Sequence, residues 1–414
     1  MELKGYSGVS EKRRMTGNLS LLAAVFVLTT AYFHFYSWYS LLAPYGTLTA
    51  AVFLAVTFFC YVDIGYALSD PAFWLMIFAD VLALVNLFVI GSDKGAILTI
   101  GDFLLILYLA NKVVFSKKEI LVSSIYTGVF FIYWTIDVKG YFKGYNTNYG
   151  GLVLISGFVF LIFAIEYCGE ILRKRNEGKD LKTFPGYDKY QAAIKIAEVI
   201  LFYIAFRIIA WYRSRCALVG LVVFLVLFLI PKKLWKNRVL YGILVFGATI
   251  GSVLFSAFYV WLGMMKEELT LRLFYKDIIS GREEIWAELW GEYLKHPFTG
   301  IGSSYVMKLD WMEGLFEVHS GLLDILIVHG LVVFIITCTF LIFRLFWIRE
   351  SCVRFLTAKV AMAGIYSMLF TAFMENYIIV APFSLMLLML FAYIGGIRKD
   401  KEVSLLFTVD LDKR

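Results

Sequence analysis

Apolar residues in this chain are gathered into blocks, most of them roughly 17 to 25 residues long. A helix rising about 1.5 Å per residue needs about 20 residues to cross some 30 Å of hydrocarbon. The blocks lie at roughly 18 to 38, 45 to 62, 70 to 91, 95 to 115, 119 to 138, 148 to 171, 191 to 212, 215 to 231, 238 to 264, 319 to 346, 353 to 374 and 377 to 397. With 61% hydrophobic and only 17% charged residues, the chain holds more apolar surface than a soluble core can hide. Strand-period alternation is absent, which disfavours a β-barrel. The reading is an all-α polytopic membrane protein of about twelve transmembrane helices, with residues 1–414 forming a single integral membrane domain.

Charge supplies the orientation. Placing the N-terminus in the cytoplasm puts Lys12, Arg13 and Arg14, then Lys112, Lys117 and Lys118, then Arg173 to Lys182, then Lys232 to Arg238, then Arg344, Arg349 and Arg354, and finally Arg398 to Lys401 on the inner side. Basic residues keep to the cytoplasmic loops, so both termini are expected inside. The formal charge of +7 therefore describes topology and implies no nucleic-acid partner. The five cysteines show no paired or metal-binding spacing, and no removable signal peptide is expected.

With that orientation one connection on the outer side is long, about residues 266–318 between the ninth and tenth helices. Within it, apolar residues at 285, 286, 289, 290, 293 and 294 fall on one helical face, opposite Glu284, Glu288 and Glu292. Such a helix either lies along the membrane surface or packs as a lid on the other helices.

Signatures of soluble catalysis are missing, namely the phosphate-binding loop, the zinc-protease HExxH and the nucleophile elbow. The one Asp-x-Asp, Asp410 to Asp412, falls in the cytoplasmic tail, so no metal ligands are expected. Arginines are more telling. Arg213 and Arg215 occupy the outer turn between helices seven and eight, Arg207 sits within the preceding apolar block, and Arg282 stands in a loop where ten carboxylates face six Lys or Arg. Snorkelling to headgroups or a local salt bridge would explain each singly. Together, guanidinium forks at one membrane face point to a phosphate or pyrophosphate. His319, just after Glu317 and at the start of an apolar block, is the candidate general base, with Glu317 a weaker one.

The loop and its exit read Ser280-Gly281-Arg282, Ile285-Trp286, His296-Pro297-Phe298-Thr299-Gly300-Ile301-Gly302, His319-Ser320-Gly321-Leu322-Leu323 and Gly330-Leu331. This succession resembles the O-antigen polymerase and O-antigen ligase superfamily. Ser214-Arg215 and the Asn-rich turn Tyr145-Asn146-Thr147-Asn148 look like two further family features. Ser320, Cys216 and His329 depart from the family pattern.

The resemblance implies a GT-C-like fold and a glycosyltransferase of the bacterial cytoplasmic membrane, needing no metal or other cofactor. Its donor would be an undecaprenyl-pyrophosphate-linked oligosaccharide, and a flippase and a chain-length regulator would be possible partners. Pyrophosphate binding would fall to Arg215 and Arg282, acceptor activation to His319, and substrate contacts to Arg213, Arg207, Glu317 and Asn148. A polymerase is the favoured reading and a ligase onto lipid A core the alternative. From another class, a twelve-helix transporter would use Asp80, Asp102, Glu166, Asp324 or Glu375 near mid-membrane.

Overall fold

The computed structural model describes residues 10–34, 39–137, 147–176, 187–231, 235–265, 272–273, 276–277, 279, 281–312 and 316–411. Tyr145, Asn146, Lys179, Lys182, Lys232, Lys233, Ser280 and Asp412 lie outside the described residues.

Each of the twelve apolar blocks carries a helix. In chain order they are α1 (Glu11–His34), α2 (Tyr39–Tyr61), a short α3 (Ile64–Ser69), α4 (Pro71–Val89), α5 (Lys94–Leu109), α6 (Lys117–Asp137), α7 (Thr147–Asn176), α8 (Tyr187–Tyr212) and α9 (Arg215–Leu229). Then follow α10 (Arg238–Thr249), α11 (Gly251–Met264), α12 (Arg282–Tyr293), α13 (Gly321–Arg354), α14 (Leu356–Thr371) and α15 (Phe383–Leu411). A two-residue antiparallel pair, Arg272–Leu273 with Lys276–Asp277, is the strand structure among the described residues.

Among those residues three helices are long and apolar enough to cross a membrane, namely Pro71–Val89, Gly150–Leu172 and Gly321–Arg354. The block at 238 to 264 is not one rod: α10 and α11 meet at 61° and together make a fourth candidate span. Large apolar side chains face outward along these helices, Trp74, Phe78 and Phe88 on α4 and Leu254 and Phe258 on α11 among them. Contiguous exposure of this kind fits lipid rather than water as the surrounding medium.

Contacts group the chain into two compact units. The first comprises Met1–Val114, Gly242–Trp347 and Ala372–Ala392. In it α1 packs on α2, both α2 and α4 pack on α5, and α11 packs on α12. The buried Arg344 donates from Nε to the Leu107 carbonyl at 2.7 Å, where α5 leaves its last carbonyls without partners in the helix. The second comprises Phe115–Tyr241, Ile348–Thr371 and Tyr393–Arg414 and is built around α7, which touches α6, α8, α9 and α14. Helices α6 and α7 come unusually close: a β-carbon at Gly128 would lie 2.8 Å from the Leu161 nitrogen.

Candidate active site

The long loop is a folded structure tied into its own unit at three places. The first tie is a break in α13. Gly330 has φ 84° and ψ 174°, so the helix stops and restarts there. A break leaves carbonyls and an amide without helical partners, which is tolerable in an apolar interior only if protein supplies new ones. The loop supplies them: Ile301 donates to the Ile327 carbonyl at 2.8 Å, Gly302 to the Val328 carbonyl at 3.2 Å, and Leu331 to the Pro297 carbonyl at 2.9 Å. Any side chain at Gly330 would run into the Phe298 carbonyl, and one at Gly300 would meet the Val328 carbonyl. The His-Pro-x-x-Gly-x-Gly and Gly-Leu motifs are thus the two sides of one backbone joint. Asn86 on α4 secures it further, donating to the Thr299 carbonyl at 2.7 Å.

The second tie is α12. Ile285, Trp286, Leu289 and Tyr293 are buried, and the Trp286 ring lies 5.2 Å from that of Tyr259 on α11. Trp286 is wholly enclosed, so this helix packs as a lid on α11 rather than presenting that ring at headgroup level. Leu294 departs from the expected apolar face and is exposed, because the helix ends one residue earlier. The Trp286 indole N–H donates to the Val318 carbonyl at 2.7 Å, which fixes the backbone immediately before His319.

The third tie uses the acidic face. Glu288 accepts from the Tyr305 hydroxyl and from the Lys308 amide, both at 2.8 Å, and Glu292 accepts from Lys295 at 2.8 Å and from Lys308. Hydrogen bonds from the two lysines hold the Glu292 carboxyl at about 2. The glutamates opposite the apolar face therefore latch the returning segment 305–311 onto α12.

These ties set a four-residue charged cluster. Arg282 at the start of α12 is 8% exposed, and its Nη2 lies 2.6 Å from Oε1 of Glu375. Nδ1 of His319 stands 3.2 Å from Oε1 of Glu317 and 3.7 Å from Oε2 of Glu375. Glu375, in the turn after α14, therefore sits between the guanidinium and the imidazole. Gly321 brings the turn into place by donating to the Ala372 carbonyl at 2.9 Å. His319 takes φ 54°, a left-handed backbone that few side-chain-bearing residues adopt and that is a recognised feature of functional sites.

Electrostatics follow from this arrangement. Burial pushes the His319 pKa down, but the close carboxylates of Glu317 and Glu375 outweigh it and raise the ring to about 9. Burial likewise pushes Glu317 up, and the His319 hydrogen bond with the charges of His319 and Arg282 brings it net below its ordinary range. The upward shift favours the imidazolium at neutral pH. Arg282 Nε is buried without a hydrogen-bond acceptor in the structure, so the fork keeps an unused donor.

Glu317, His319 and Glu375 offer ligand atoms within 4.8 Å of one another, the one set among the described residues with metal-binding spacing. A divalent ion there would have to share Glu375 with Arg282 and displace the ring proton.

Of the residues singled out in the sequence, Arg282, Glu317 and His319 come together in the first unit. Asn148, Arg213 and Arg215 come together in the second: the Ser214 hydroxyl donates to the Asn148 carbonyl at 3.3 Å, Arg213 takes φ 54°, and Arg215 opens α9. Arg207 is exposed on α8. Among the acids a transporter would use, Glu166 is paired with Lys195 at 2.7 Å and Glu375 belongs to the cluster. Glu375 as a partner of Arg282 was not read from the sequence. Its signal was available, since it is the sole charged residue between Lys359 and Arg398 and stands in an outer turn on the expected topology.

A mainly helical chain with several helices long and apolar enough to cross a membrane fits a multi-pass membrane protein. Residues 200–338, about a third of the chain, match the family described as O-Antigen ligase (Wzy_C), which supports the resemblance to the O-antigen polymerase and ligase superfamily. No curated protein and no solved structure matches the chain. The matched stretch includes Arg207, Arg213, Arg215, Arg282, Glu317 and His319 and leaves Asn148 and Glu375 outside.

Proposed function

We propose that the protein is a polysaccharide polymerase that joins undecaprenyl-pyrophosphate-linked repeat units at the outer face of the bacterial cytoplasmic membrane. On this reading the chain is one GT-C-like membrane domain with about twelve crossings and both termini inside. The observation that carries the reading is the buried Arg282, paired with Glu375 beside a protonated His319, on a loop that lies within the family match.

The acceptor hydroxyl oxygen bonds to the anomeric carbon of the donor as the bond from that carbon to the lipid pyrophosphate breaks. The pyrophosphate leaves with the bonding electrons, and the acceptor proton passes to a carboxylate. Negative charge grows on the leaving group while the sugar becomes oxocarbenium-like, so cations fixed beside the pyrophosphate lower the barrier without a metal. Arg282 is the first such cation, its spare Nε–H turned to a phosphate oxygen. His319 with its proton in place is the second, and Glu317 beside it takes the acceptor proton. Arg215, with Arg213, Arg207 and Asn148, keeps the phosphate- and glycan-binding roles that the resemblance implies.

Purified protein given lipid-linked repeat units is expected to yield a ladder of repeat lengths. Chains of unchanged length moved onto lipid A core would make it a ligase, and glycan moved across a bilayer without change in length would make it a transporter.

A further inference from the structure

The outer loop presents one large aromatic residue that the packing fixes without burying. Trp311, in the turn Asp310–Met312, is 53% exposed while Met312 beside it is buried and pins the turn. The indole N–H donates to Oε2 of Glu284 at 3.0 Å. Along the ring's edge, Cζ2 and Cη2 lie 3.3 Å from where a β-carbon would stand at Gly281, a residue at φ 90°. A β-carbon there would press on the ring by a few tenths of an ångström, and the positive φ favours glycine. The ring is therefore held at its nitrogen and along one edge, with about half its surface in solvent. Gly281 immediately precedes Arg282, so the ring packs against the residue next in sequence to the arginine of the charged cluster.

A sugar ring has an apolar face of C–H groups and a rim of hydroxyls. A tryptophan offers the matching surface: a wide, rigid apolar plane with few rotamers to lose on binding. A carboxylate at its edge accepts hydrogen bonds from rim hydroxyls, and Glu284 is exposed at that edge. An anionic headgroup fits poorly here, because between Lys266 and Val318 ten carboxylates face six Lys or Arg. We propose that Trp311 and Glu284 form a glycan subsite that stacks a sugar of the substrate within one or two units of the bond being made. The placement of that sugar rests on the proposed polymerase reading; recognition of a pyranose face does not.

Two probes separate the two ideas. The first is the free repeat-unit oligosaccharide, released from the organism's own polysaccharide and carrying neither lipid nor phosphate. The second is undecaprenyl pyrophosphate without sugar. Both are titrated calorimetrically against the full chain in nanodiscs. Trp311→Ala is expected to weaken oligosaccharide binding about ten-fold, the upper end for one aromatic stacking contact, and Trp311→Phe only about two- to three-fold. Glu284→Gln weakens it to an intermediate degree. Binding of undecaprenyl pyrophosphate is unchanged by Trp311→Ala and weakened by Arg282→Lys. Equal oligosaccharide affinity in wild type and Trp311→Ala, or no oligosaccharide binding by the wild type, overturns the subsite. Equal weakening of both probes by Trp311→Ala overturns it too, since the ring would then hold lipid. If Arg282→Lys leaves the pyrophosphate lipid untouched while Trp311→Ala still loses oligosaccharide, the phosphate assignment fails and the subsite stands.

Discussion

Replacing Glu375 by Gln removes one of the two carboxylates that hold the proton on His319 while keeping the shape of the side chain. At 3.7 Å, two unit charges interact by about 4.5 kcal/mol at an effective dielectric of 20 and about 1 kcal/mol in bulk water. His319 is 22% exposed, which puts it between those limits. At about 1.4 kcal/mol per pKa unit, its pKa should fall by roughly one to three units, from about 9 toward or past the ordinary 6.5. The newly unpaired Arg282 acts in the same direction. If the imidazolium assists the leaving group, wild-type kcat/KM holds through neutrality and declines as pH rises through about 9, and in Glu375→Gln that alkaline limb moves down by one to three pH units. The raised pKa also stabilises the folded chain, fully below about pH 6.5, with the gain lost as pH rises through about 9. The assay is repeat-unit incorporation at saturating acceptor between pH 5 and about 10. A limb that moves by less than half a unit refutes the electrostatic argument, and wild-type activity that climbs toward pH 9 would make His319 the base and not a cation.

Arg282→Lys keeps the charge but loses the fork, so turnover is expected to drop at least ten-fold with protein level little changed; normal polymer from both Arg282→Lys and Arg282→Met would end the pyrophosphate role. Arg282→Ala should also lower the melting temperature, because Glu375 is left buried without its cation, a loss of about 3–5 kcal/mol for a broken buried pair. Activity should survive excess EDTA; complete loss restored by Mg²⁺ or Mn²⁺ would mean that Glu317, His319 and Glu375 bind a metal. Gly330→Ala forces a β-carbon onto the Phe298 carbonyl and should cut folded yield sharply, whereas Gly247→Ala, with open space around it, should be nearly neutral; equal yields would show that the break in α13 is not a fixed feature.

How far the sequence could be read depends on the range of the forces involved. Helix positions followed from apolar run length, and the buried face of α12 from its 3.6-residue period, because both are local. The bend between α10 and α11 was not legible, since residues 238 to 264 are apolar throughout and glycine is tolerated in such helices. The break at Gly330 was hidden for a different reason. Its stabilising partners, Pro297 to Gly302, lie about thirty residues earlier and act through backbone atoms that carry no compositional mark. His319 was singled out for its residue type and place, but its charge state depends on Glu317 beside it together with Glu375, 56 residues later.

The joint at Gly330 also bears on how the protein is made. Residues 297–302 leave the ribosome before the α13 residues that receive their hydrogen bonds. Until those residues are made, the Ile301 and Gly302 amides and the Pro297 carbonyl lack these partners. The charged cluster is completed later still, because Glu375 lies 93 residues after Arg282. Until then Arg282 lacks the Glu375 carboxylate, and the cluster forms only once the turn after α14 is in place.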